Sequence, residues 1–190
     1  MRIIAGRFRG HPLFSPVGRG ARPTSDKARQ ALFNIIGPDI AGRSFLDLFA
    51  GTGAVGLEAL SRGAAKVMAV ESAQAELVIK NAAKLKAGPA EGHWLVRGDV
   101  FSTLDKIRAG GERFDYIFAD PPWDAALEGR IVTLAAPLLA KDGLLILELN
   151  KRTTPPDGAP HGLSLYDSRG YGEAMFYFYL KLAWPEKSHT

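Results

Sequence analysis

This 190-residue sequence predicts an α/β fold: a doubly wound, mostly parallel sheet with helices on both faces and an antiparallel hairpin at its C-terminal end. Three observations carry the expectation. From Ser44 onward, short apolar runs alternate with longer amphipathic stretches, the rhythm of parallel strands joined by helical crossovers. A Gly-x-Gly-x-x-Gly sequence, at Gly51, Gly53 and Gly56, falls just after the first of these runs and opens a helix. The tail then abandons the alternation for two apolar segments flanking Ser168-Arg169-Gly170-Tyr171-Gly172, the pattern of a hairpin closing one side of the sheet.

Taken in order, residues 1–25 are rich in Gly, Pro and Arg and show no helical period, so they read as extended or hairpin-like. Pro23-Thr24-Ser25-Asp26 starts a helix. Thr24 or Ser25 can cap it, and Asp26 sits well in its positively polarised first turn. Ala28, Leu32, Phe33, Ile35 and Ile36 form the apolar face, with Lys27 and Arg29 expected on the other side, and Gly37-Pro38 ends the helix. Strands are expected at Phe45–Phe49, Lys66–Val70, His93–Val96, Tyr116–Ala119 and Leu144–Leu149. Helices are expected at Ala54–Ser61, Ala73–Lys86, Ser102–Ala109 and Ala126–Leu139. Leu163–Tyr166 and Ala174–Leu180 supply the hairpin, reached through a loop at 151–162 that contains Pro155, Pro156 and Pro160. A basic arm and helix over 1–43, a catalytic domain over 44–184 and a frayed tail at 185–190 complete the expected organisation.

Composition narrows the function. There is no cysteine, which excludes disulfides, thiolate metal sites and a cysteine nucleophile of the kind needed to methylate a pyrimidine ring carbon. His93, His161 and His189 lack metal-ligand spacing, so no metal is expected. No apolar run reaches the roughly 18 residues that span a bilayer, and Met1–Arg7 lacks the apolar core of a secretory signal. A cytoplasmic protein without membrane contact is the expectation. The net charge of +4 is uneven: residues 1–43 hold eight Lys or Arg against Asp26 and Asp39. Such a basic arm suits a phosphate backbone, with Arg7, Arg9, Arg22, Lys27 and Arg29 as candidate contacts.

The strand ends carry the chemistry. The loop glycines permit a tight turn and close approach of a ligand, and Gly56 lets helix pack on strand. Glu71 ends the second strand twenty residues beyond Gly51, where a carboxylate can accept from both ribose hydroxyls of an adenosine. To this point a dinucleotide and S-adenosylmethionine fit almost equally. Asp47 favours the second, because its charge opposes a pyrophosphate but suits a methionyl ammonium and a sulfonium. Asp99, past the third strand, can accept from adenine's amino group. Asp120-Pro121-Pro122-Trp123 ends the fourth strand: a carboxylate and fixed carbonyl acceptors for a planar amino group, beside an aromatic face for stacking.

These motifs resemble the Rossmann-like methyltransferases that act on exocyclic nitrogens. Ile4-Ala5-Gly6-Arg7-Phe8-Arg9-Gly10 and the stretch from Arg22 to Asn34 are similar to the bacterial 16S ribosomal RNA guanine-N2 methyltransferases, the RsmD family, over nearly the whole chain. The resemblance implies a class I methyltransferase fold with a seven-stranded sheet. It also implies an S-adenosylmethionine site at Asp47, Phe49, Gly51, Thr52, Gly53, Gly56, Glu71, Ser72, Asp99 and Val100, with S-adenosylhomocysteine as the product. The catalytic motif would be Asp120 to Trp123. The partner would be 16S ribosomal RNA in the small subunit or an assembly intermediate, met by a monomer. Two positions depart from the family pattern: Trp123 stands where Tyr is usual, which removes a phenolic hydroxyl, and His11 stands where a basic residue is usual. The motifs alone leave open adenine N6 in DNA or RNA, a protein amide, an NAD-linked oxidoreductase and a non-catalytic RNA-binding module.

Overall fold

The computed structural model describes residues 1–16 and 26–182; the expected caps Thr24 and Ser25, and Arg22, lie outside them. Helix α1 (Asp26–Ile36) turns Ala28, Leu32, Phe33 and Ile36 inward and ends at Gly37, whose φ of 70° starts a single 3-10 turn. There follow β1 (Ser44–Leu48), α2 (Ala54–Ser61), β2 (Lys66–Glu71), α3 (Ala75–Lys84), β3 (His93–Arg97), α4 (Val100–Ala109), β4 (Phe114–Ala119), α5 (Glu128–Ala135) and β5 (Leu139–Asn150). The hairpin is β6 (Leu163–Tyr171) and β7 (Ala174–Lys181). No helix of the described residues is long and apolar enough to cross a membrane.

The seven strands form one sheet in the order β3-β2-β1-β4-β5-β7-β6. The first five are parallel, and β7 runs antiparallel to both β5 and β6. Strand order therefore reverses between β1 and β4, the place where open α/β sheets leave a crevice beyond the carboxyl ends of their strands. Alternation along the strands divides the core. Phe45, Phe118, Ile146, Phe176 and Phe178 face α1 and α2, while Leu46, Ile117, Leu145, Leu147 and Tyr179 face α4 and α5. Each fully buried large side chain is worth about 1.5–3 kcal/mol, and Phe33, Phe45 and Tyr116 add a stacked row with centroids 6.3 Å apart.

The hairpin turn is tighter than the sequence suggests. Pairing continues to Tyr171 and Ala174, leaving only Gly172 (φ 63°) and Glu173 between the strands. Most of β6 is exposed at the sheet edge, so it lacks the alternating apolar signal that would have extended it in a sequence reading.

The N-terminal arm is a small hairpin, closed by Ile3 N–H to the His11 carbonyl at 3.0 Å and Gly10 N–H to the Ile3 carbonyl at 2.9 Å. Buried polar side chains dock it, Glu58 and Asn81 among them. Glu58 on α2, with no exposed surface, accepts from the Ile4 and Ala5 amides at 2.8 and 3.0 Å and pairs with Arg62 at 2.8 Å. Asn81 on α3 accepts from the Phe14 amide at 2.7 Å and donates to the carbonyls of Phe14, at 3.1 Å, and Thr52, at 2.9 Å.

Arg29 corrects the sequence reading. It is wholly buried, not solvent-facing. Its guanidinium donates to the Arg2 carbonyl and to Asp26 Oδ1 at 3.0 Å, and lies 3.6 Å from Glu58. Position 29 shares a helical side with Leu32, Phe33 and Ile36, so its charge fastens the arm and is not available to an RNA backbone.

Candidate functional site

At the end of β1 the backbone turns through three left-handed residues, Phe49 (φ 58°), Gly51 (φ 56°) and Gly53 (φ 75°). For the glycines this costs little, whereas for Phe49 it stores on the order of 1–2 kcal/mol. A Cβ on Gly56 would lie 3.0 Å from both Asp47 Oδ2 and Val67 Cγ1, so α2 sits tightly on β1 and β2, as its glycine predicts. The Gly56 amide donates to Asp47 Oδ2 at 2.8 Å. Glu71, at the end of β2, accepts from the Gly51 amide at 2.6 Å through one oxygen. Its other oxygen accepts from Ala73 and Gln74 at 2.8 and 3.0 Å. The carboxylate thus braces the loop against the entrance to α3, and three of its roughly four acceptor sites are already used.

These elements open onto a cavity of about 650 Å³, within the range of small-molecule sites. Asp47, Phe49, Gly51, Thr52, Glu71 and Ser72 line it from β1 and β2, and Asp120, Pro121, Pro122 and Trp123 line it from the end of β4. Two sequence motifs some seventy residues apart therefore share one space. Gly53 and Gly56 shape the wall from behind, against Val78 and Asp47. Asp99 and Val100 are not brought to the cavity. Asp99 instead caps α4, its Oδ1 accepting from the Ser102 amide at 2.9 Å. Arg7, Arg9 and Lys27 are exposed and do not line it; Arg7 lies 4.5 Å over the Phe8 ring.

Sequence reasoning missed part of the wall. Glu148 on β5, and Tyr171 and Glu173 at the β6–β7 turn, also line the cavity. Glu148 left a signal, an acidic residue inside the apolar run Leu144–Leu149. Tyr171 and Glu173 left none, because only the hairpin register carries them there.

The cavity is an acceptor-rich environment. Among its described lining residues there is no lysine, arginine or histidine. Burial pushes the Asp47 carboxyl up to about 7, against the opposing Gly56 amide bond and with help from the charge of Glu71. Burial also holds Asp120 well above the usual carboxylate range, reinforced by Glu148 and Asp47 and opposed by a hydrogen bond from the Trp123 side chain. The indole N–H of Trp123 so supplies a donor where the expected tyrosine would have had its hydroxyl. The buried Asp47 and Asp120 carboxyls, with no lysine, arginine or histidine among the described lining residues, suit a ligand bearing a sulfonium and an ammonium and disfavour a pyrophosphate. The residues present therefore fit S-adenosylmethionine and speak against a dinucleotide.

Residues 1–180 match a family described as Conserved hypothetical protein 95. The ribosomal RNA small subunit methyltransferase D of Escherichia coli K12 is 36% identical over 190 residues, spanning 98% of this chain and 92% of its own length. The chain belongs to the RsmD family. A solved hypothetical protein of Thermus thermophilus matches with a TM-score of 0.78 and 34% identity, over 94% of this chain and 98% of that one. An RNA methyltransferase of Salinibacter ruber, solved with S-adenosyl-L-homocysteine, matches with a TM-score of 0.63 at 15% identity, over 87% of this chain and 97% of that one. At that identity the likeness shows the fold alone. As an RsmD-family member the chain is an S-adenosylmethionine-dependent ribosomal RNA methyltransferase. Its sheet order and closing hairpin are the class I methyltransferase architecture expected from the sequence.

Proposed function

We propose that the protein methylates the exocyclic N2 of a guanine in 16S ribosomal RNA, within the small subunit or an assembly intermediate. The observation that carries this reading is the convergence of the glycine loop and Asp120–Trp123 on one cavity whose described lining residues include no lysine, arginine or histidine. Asp47, Glu71 and the loop amides would hold S-adenosylmethionine, with Asp99 a candidate for its adenine. When bound, that group supplies an electrophilic methyl, whose S–C bond electrons stay on sulfur in an in-line displacement that releases neutral S-adenosylhomocysteine.

The chain's own residues address the acceptor. Guanine's amino nitrogen is a poor nucleophile because its lone pair is delocalised into the ring. Asp120 and the Pro121 carbonyl accept its two N–H bonds, which draws density onto nitrogen and orients the lone pair. The proton lost from nitrogen passes to Asp120, whose raised pKa makes it a competent acceptor, or to water. A cationic ligand in the same cavity biases Asp120 toward the charged form that can accept. Trp123 presents its ring to the base while its N–H fixes the Asp120 carboxylate. The base must be unstacked to enter, and the exposed Arg7, Arg9 and Lys27, with Arg22 outside the described residues, would position the backbone in a salt-dependent manner.

The test is to incubate the protein with methyl-labelled S-adenosylmethionine and small subunits lacking its modification, then identify the labelled nucleoside after digestion. Label in N2-methylguanosine is the expected result; label in N6-methyladenosine, or none in RNA, overturns the reading. Asp120→Ala should abolish turnover while leaving cofactor affinity nearly intact, and equal loss of both would remove Asp120 from its role.

A further inference from the structure

Glu148 has no part in the methyl transfer described above, yet it stands beside the motif that does. Across β4 and β5, Ala119 pairs with Leu147, so the next residues, Asp120 and Glu148, are neighbours on adjacent strands about 4.8 Å apart. Both line the cavity. Glu148 is only 4% exposed, and its charge acts directly on Asp120. The end of the β4–β5 pair is thus a double carboxylate edge on the cavity wall, with the Pro121 carbonyl next to it in sequence.

Two adjacent acceptors select one kind of base edge. Guanine presents N1–H and the N2 amino group side by side, a donor next to donors. Adenine presents its N6 amino group beside N1, which is an acceptor and would meet a carboxylate lone pair against lone pair. Flipped or unpaired bases are read on this edge.

We propose that Glu148 is the specificity-determining acceptor that takes the N1–H of the target guanine while Asp120 and the Pro121 carbonyl hold its N2 amine. This rests on the guanine-N2 reading and adds to it the group that rejects adenine. Glu148 touches the ring but takes no part in bond making. Its removal should therefore change which base is accepted more than whether methyl is transferred.

The test uses small subunits reconstituted with RNA whose methylated position, mapped first with the wild-type protein, carries either guanosine or 2-aminopurine. The analogue keeps the 2-amino group but has a bare N1 acceptor. The wild-type protein should methylate guanosine at least about 100-fold faster, because the bare N1 of the analogue meets a carboxylate lone pair against lone pair where guanosine donates. Glu148→Gln, whose amide can donate to a bare N1, should lower that ratio to about tenfold or less, with S-adenosylhomocysteine affinity by calorimetry within about threefold of wild type. A ratio unchanged in Glu148→Gln overturns the proposal. So does a wild-type protein that accepts 2-aminopurine as readily as guanosine, a result that needs no variant to fold. Absence of guanosine methylation by the wild-type protein would instead defeat the underlying guanine-N2 reading.

Discussion

Replacing Asp47 by Asn should make the ligand-free protein more stable and less able to bind its cofactor. Asp47 is 1% exposed, and burial raises its carboxyl to about 7, against about 3.9 in an unfolded chain. The native state therefore binds this proton more tightly than the unfolded state. The contribution of Asp47 to stability is greatest below pH 4, declines as the pH rises toward 7, and stays diminished above it. Holding the charged form costs on the order of 4 kcal/mol at pH 8. Asn keeps an oxygen for the Gly56 amide but carries no charge. The variant should gain on the order of 2–4 kcal/mol at pH 8, or about 4–16 °C in Tm for a chain of this size, with the advantage vanishing near pH 4. Thermal unfolding followed by circular dichroism from pH 4 to 8 reads the difference, in which the groups that do not interact with Asp47 cancel. Calorimetry with S-adenosylmethionine should show at least about a tenfold loss of affinity, since a charge-assisted bond to the ligand ammonium is gone. A variant no more stable at pH 8, or equally stabilised at both pH values, would refute the argument that Asp47 bears a buried charge in reserve for a cationic ligand.

Two further outcomes follow from the same geometry. Glu58→Ala leaves the Ile4 and Ala5 amides unmet and takes from the buried Arg29 one of its two carboxylate neighbours. Removing one partner of a buried ion pair typically costs about 3–5 kcal/mol, and a loss below about 1 kcal/mol in urea denaturation would show that the arm does not depend on this link. Trp123→Phe keeps the ring but deletes the bond that lowers the Asp120 pKa. The ascending limb of the pH–rate profile for methyl transfer should move toward higher pH, and a limb that stays or moves to lower pH contradicts the assignment.

What the sequence made legible was local. The glycine loop, Glu71 and Asp120–Trp123 each sit at a strand end that short-range pattern can place, and the strand ends of a parallel sheet meet by topology alone. Arg29 was misread because residue type outweighed position: its spacing to Leu32, Phe33 and Ile36 marked the buried face, but arginine is rarely found there. Asp99, expected at the adenine, also caps α4 through one carboxylate oxygen, a local role that its place at a helix start encodes equally well. Tyr171 and Glu173 depend on the pairing of β7 with β5, a long-range choice that no window of sequence contains. Glu148 lay between these cases, visible as an anomaly within an apolar strand but given a setting only by the pairing of β5 with β4.

The single amide of Asn81 gives the fold a thermodynamic lever. It grips the backbone of Phe14 in the arm on one side and the Thr52 carbonyl of the glycine loop on the other. Work done in ordering either segment is thereby shared with the other. Occupying the loop reduces the remaining entropic cost of settling the arm, and seating the arm repays the loop by the same free energy, since such coupling is reciprocal. Were the loop to hold the cationic donor and the arm to meet the anionic acceptor, as proposed, the side chain that links the two segments would let each occupant favour the arrival of the other.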